Sequence, residues 1–107
     1  MRNLILTILM LFSHSVSATS GWTSYGYIIE LVPTIHFRFK VNIDVKGNSS
    51  ACKQKQWFYQ DYNVSGSREM YLALLEAVSS NKPVRVYVTG RCDVKEYSEI
   101  SELGIRP

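Results

Sequence analysis

Ser67–Cys92, SREMYLALLEAVSSNKPVRVYVTGRC, reads as one helix, one tight exit and one strand that ends in a cysteine. Ser67 is placed to cap the helix, because its hydroxyl can accept from the free amides of the first turn. Glu69 puts negative charge beside the positive end of the helix dipole. Met70, Leu74 and Val78 recur every four residues, with Tyr71 and Leu75 beside them, which predicts an apolar stripe laid across a sheet. The opposite face carries Glu69, Ala73, Glu76 and Ser80. Asn81 suits a left-handed exit and Pro83 bars continuation. Val84, Val86 and Val88 then alternate with Arg85, Tyr87 and Thr89, the period of a strand, and Gly90 allows a bend before Cys92.

The flanking sequence supplies partners for this unit. Tyr27–Val32, YIIELV, is an apolar strand stopped by Pro33. From Ile35 to Val45 the residues alternate strictly, with Ile35, Phe37, Phe39, Val41, Ile43 and Val45 on one face and His36, Arg38, Lys40, Asn42 and Asp44 on the other. Such a strand has one face in the core and one in water. Only Pro33-Thr34 separates these two strands, so a hairpin is expected. Gly47–Ser50 and Asn63–Gly66 read as turns, and Trp57-Phe58-Tyr59 marks a third strand by its aromatic content. Glu96–Ile105 is irregularly apolar and reads as a fifth strand with a bulge. The expectation is a mainly β domain with one helix: a five-stranded OB-like Greek-key barrel, the helix lying between strands three and four. An open antiparallel sheet with one helix on a face is the other arrangement this order allows.

The N-terminus adds a compartment. Arg2 precedes the apolar run Leu4–Phe12, and small residues follow at Val16 and Ala18. These are the parts of a secretory signal peptide, residues 1–18, cut after Ala18. The run is too short to span a membrane, which takes roughly 20 residues. Residues 19–107 form one domain, secreted or periplasmic, with no transmembrane segment after cleavage. Cys52 and Cys92 both remain, and an even pair in an exported chain predicts one disulfide. A zinc site is not expected, since the two cysteines are far apart and only His36 remains to help them. The net charge of +3 includes Arg2 and has no basic run behind it, so nucleic acid is not an expected partner.

Catalytic patterns are missing. No serine sits in a nucleophile elbow, the nine acidic residues are dispersed, and no Gly-rich phosphate loop occurs. Neither catalysis, nor a cofactor, nor a metal is expected. Aromatic residues are the main candidates for recognition, since each offers a flat apolar face with a polar edge. Trp22 and Tyr25 lie in a Gly- and Ser-containing lead, and Tyr87 lies opposite the valine face of its strand. Trp57 and its neighbours are expected in the core.

From Trp22 onward the chain resembles the B subunits of AB-type bacterial toxins, of the subtilase-cytotoxin and typhoid-toxin kind. The resemblance rests on Trp22-Thr23, on Ser24-Tyr25-Gly26 followed by Ile28-Ile29, on a mid-chain cysteine and aromatic strand, and most closely on the helix followed by Lys82-Pro83-Val84-Arg85-Val86-Tyr87. It implies an OB-fold subunit that forms a ring, typically a homo-pentamer, with helices lining the centre. Host glycans would bind the outer surface, and a toxic A subunit would sit on the ring. The family's sugar-contacting serine matches Ser24, and its tyrosine matches Tyr87, with Val88 as the other position for that contact. The candidate carbohydrate-binding residues are thus Trp22, Ser24, Tyr25 and Tyr87. The expected function is a non-catalytic, exported binding subunit. The alternative is a monomeric periplasmic OB-fold protein with a structural or regulatory role outside any toxin.

Overall fold

The computed structural model describes residues 19–93 and 95–107; the leader read over residues 1–18 lies outside the described residues. The described chain is mainly β with a single helix. Its strands are β1 (Gly21–Trp22), β2 (Ile28–Pro33), β3 (Arg38–Ile43), β4 (Trp57–Asp61), β5 (Val84–Asp93) and β6 (Tyr97–Ile105), with α1 (Ser67–Ser80) between β4 and β5. They form one six-stranded sheet in the order β1-β5-β6-β4-β3-β2. The sheet is mixed, because β4 and β6 run parallel while every other pair is antiparallel. The strand beyond the five expected is β1, built from the polar lead and paired through Gly21 to Val88 and Trp22 to Tyr87. β1 and β2 stand at opposite ends of the order, and no ladder joins them to each other.

Alternation places the core. Phe39, Val41, Ile43 and Val45 are buried from the β3 segment, and Val84, Val86 and Val88 from β5. Phe58, Ile100, Leu74 and Ala77 complete the cluster. Ile35 and Phe37, expected on the same inner face as Phe39, are instead 90% and 75% exposed. The cause is Thr34. Its hydroxyl donates to the Arg38 carbonyl at 2.6 Å and accepts from the His36 amide at 3.1 Å, while its own amide also reaches the Arg38 carbonyl. The turn therefore closes at Arg38 and leaves residues 35–37 outside the ladder, with Phe37 at a φ of 66°.

The helix differs from expectation at two points. Gly66, at φ 88°, occupies the cap position without a side-chain cap, and Ser67 is the first helical residue, its buried hydroxyl oxygen unpartnered. Leu74 and Ala77 are buried and Met70 and Tyr71 pack against the core, but Leu75 and Val78 are exposed. A strict four-residue spacing advances about 40° around the helix at each step, which carries Val78 to the margin and lets Ala77 take its place. The exit is as the sequence reads: Asn81 at φ 53°, with the Asn81 and Lys82 amides bonded to the Val78 and Ala77 carbonyls.

Cys52 and Cys92 form a disulfide with a Cα separation of 5.5 Å. It ties the loop before β4 to the end of β5, where Gly90 at φ 97° lies within a shift of register. The β5–β6 ladder carries a second irregularity at Tyr87–Val88, opposite Glu102 and Ile100. Among the described residues no helix is long and apolar enough to cross a membrane.

Candidate functional site

β5 turns Val84, Val86 and Val88 inward, so Arg85 and Tyr87 must face outward. β1 is hydrogen-bonded beside it and sets Trp22 directly opposite Tyr87. The two rings meet edge to face, with centroids 5.5 Å apart and planes at 84°. This arrangement suits the ring quadrupoles and fixes both side chains. Arg85 lies over the Trp22 ring at 4.2 Å and over the Tyr25 ring at 5.3 Å. Arg106, just past β6, covers Tyr25 at 4.0 Å. The result is a continuous row, Arg106, Tyr25, Arg85, Trp22, Tyr87, along the outer face of the β1–β5–β6 end of the sheet.

Gly104 leaves the space across which the Arg85 side chain lies. It pairs with Arg85 across the β5–β6 ladder, and a methyl group there would meet the Arg85 side chain at 3.3 Å. The Arg85 Nε is shielded from solvent and has no hydrogen-bond partner. Among the described residues neither Arg85 nor Arg106 is ion-paired to a carboxylate. Stacked guanidiniums keep their in-plane donors available, so this face offers aromatic surface and charged donors side by side. Tyr87 Oη donates to the Ser20 hydroxyl at 3.3 Å.

Three of the four nominated residues, Trp22, Tyr25 and Tyr87, thus come together. Ser24 does a different job. Its hydroxyl oxygen accepts from the Lys46 and Gly47 amides at 2.9 and 3.1 Å, pinning the lead to the turn after β3. Val88, the other position for the tyrosine contact, is buried in the core. Arg85 and Arg106 were not nominated. Arg85 could have been found, since it shares the outward register of Tyr87, but nothing in the sequence brings Arg106 back onto Tyr25. Trp57 is half-buried rather than core, stacked on Tyr97 with centroids 5.2 Å apart. It lines a cleft of about 550 Å³, together with Lys46, Lys53 and Lys55, and that cleft includes none of the four nominated residues.

Among the described residues no three of His, Cys, Asp or Glu are grouped to hold a metal ion. No protein-family model and no curated protein matches this chain. The likeness to toxin B subunits therefore stands on the residues quoted for it alone.

Proposed function

We propose that this chain is an exported, non-catalytic binding subunit that holds a glycan on the Trp22–Tyr87 face and assembles into a ring of identical copies. The observation that carries the ligand is the row itself: Trp22 and Tyr25 flank the Arg85 guanidinium, Tyr87 meets Trp22 edge to face, and among the described residues no carboxylate is ion-paired to Arg85. Sugar rings stack their apolar faces on aromatic side chains, and guanidinium groups donate to sugar hydroxyls and carboxylates. The disulfide fits an oxidising compartment, as export requires.

The fold we assign to this function is the OB-like barrel, with β1 and β2 as two halves of one bent strand. Gly26 exchanges both backbone hydrogen bonds with Val84 on β5, and the next residue, Tyr27, accepts from the Asp44 amide beyond β3. One continuous segment so touches both ends of the sheet order. Counting β1 and β2 as one strand restores five, with the helix between the third and fourth.

A glycan array probed with the purified protein tests the ligand. Binding to a defined set of glycans is expected, and Trp22→Ala or Tyr87→Ala should weaken it at least about tenfold, the scale of one lost aromatic contact in a binding site. Tyr27→Ala, exposed and outside the row, should leave it unchanged. An array with no glycan bound would remove the ligand from this reading.

A further inference from the structure

The turn between β2 and β3 carries two large apolar side chains that the fold does not use. Ile35 and Phe37 are the two most exposed large hydrophobic residues of the described chain. Phe37 is also held at a φ of 66°, in the left-handed region that is unfavourable for a bulky L-residue. The turn is not loose. Thr34 makes three hydrogen bonds across it, and the Tyr62 amide donates to the Phe37 carbonyl at 2.6 Å. A rigid turn therefore presents two side chains whose exposure is unfavourable, one of them on an unfavourable backbone. Strain kept at an exposed position points to use of that position.

The surroundings indicate what it meets. Directly behind the tip is a cleft of about 300 Å³ lined by Thr34, His36, Arg38 and Lys40. Arg38 is paired with Asp61 at 2.8 Å and Asp93 at 3.5 Å. Lys40 lies over the Tyr97 ring and has no carboxylate partner among the described residues. Neither has Arg68, which stands over Tyr62 beside the tip. Residues two apart on a strand are about 7 Å apart along it. Apolar side chains thus lead, and cationic and hydrogen-bonding groups follow at about the depth that separates acyl chains from headgroups. A protruding two-residue tip suits insertion into a fluid layer better than a protein interface, which needs a broad surface of about 800 Å² per partner.

We infer that the 34–38 turn is a membrane-contact element: Ile35 and Phe37 enter the outer leaflet of an anionic bilayer, and the His36–Arg38–Lys40 cleft receives lipid phosphate. This goes beyond the glycan reading and uses a different surface.

The test is sedimentation of the protein, expressed from its full reading frame, with glycan-free vesicles of phosphatidylcholine, with and without phosphatidylserine. The wild type should pellet with the phosphatidylserine vesicles and lose binding at high salt. Ile35→Ser combined with Phe37→Asn should lower the vesicle affinity at least about tenfold, in keeping with the loss of two buried apolar side chains. Asn tolerates positive φ, so that variant should melt no lower than the wild type, and Phe37→Gly provides a second variant free of the backbone strain. Lys40→Gln should reduce the preference for phosphatidylserine. A wild type that pellets with neither vesicle overturns the inference. So does a double variant that binds like the wild type, or one whose only change is a smaller assembly, which would make the tip a contact between copies. Because the vesicles carry no sugar, either result leaves glycan binding to be judged on the array.

Discussion

Tyr59 shows what a single side chain contributes. It is buried on β4, outside the main core cluster, with the Arg38 guanidinium 4.9 Å from its ring centre. Burial is the main cause that pushes its phenol up to about 12, helped by the negative charges of Glu99 and Asp93 and opposed by Arg91 and Arg38. An unfolded chain releases a tyrosine proton near pH 10. Between about pH 10 and about 12 the unfolded chain has released this proton and the native chain has not, so rising pH favours unfolding. Below that window the contribution of the neutral, buried phenol is fully present. Urea unfolding across this range should show the wild type losing stability more steeply than Tyr59→Phe. Parallel slopes would show that Tyr59 does not carry the effect. Residue-scale facts of this kind were hard to read in advance. The strand at Trp57–Tyr59 was legible from its aromatics, but which ring is buried depends on Arg38 and Glu99, which come from other strands. Ser67 and Gly66 make the same point: both suit a helix start, and only the path of the chain out of the 62–66 turn decides between them.

At the scale of elements, the joint between β1 and β2 is the most constrained. A methyl group on Gly26 would sit 2.1 Å from the Asp44 carbonyl oxygen and 2.6 Å from its carbon. Both obstacles are backbone, so no side chain can turn away, and the chain must part from either β5 or the end of β3. Gly26→Ala should therefore cost about 3 kcal/mol or more, at the upper end of overpacking. Gly47→Ala is the control, since a methyl group there meets nothing within 4 Å. Equal unfolding midpoints in urea for the two variants would refute this account of the joint. This element explains what the sequence concealed. β1 has two residues and no period of its own; it exists because Val88 and Tyr87 offer it a ladder from more than sixty positions away. The parallel β4–β6 pairing is equally silent locally. By contrast α1, β3 and β5 were legible, because burial on one side imposes a period that short segments display. The error at Ile35 and Phe37 came from trusting that period past the point where the Thr34 turn ends the ladder. The disulfide was legible from count and compartment alone. For the recognition face, the outward register of β5 pointed to Tyr87, while its meeting with Trp22, Tyr25 and Arg106 required the tertiary fold.

At the scale of the whole molecule, the question is what covers the surfaces one copy leaves open. α1 buries Leu74 and Ala77 but leaves Leu72 facing outward, together with Leu75 and Val78, which the periodicity had placed in the core-facing stripe. Ile29, on the end strand β2, is exposed as well. Apolar exposure on a helix combined with strands at both ends of a sheet is what a repeated head-to-tail contact would use, and such contacts close into rings when the rotation allows. A ring would also serve the ligand. Contacts between one sugar and one aromatic row are weak, and several rows held in fixed geometry gain avidity without any new contact. The mass of the purified protein in solution decides this. Light scattering should give several protomers per particle, and Leu72→Ser with Leu75→Ser should reduce it to one while the unfolding transition persists, since neither side chain lies in the buried core. The same variant should retain contact with a single glycan but lose retention on a densely glycosylated surface, separating assembly from recognition. A wild type that is monomeric at all concentrations would overturn the ring and favour a periplasmic monomer built on the same fold.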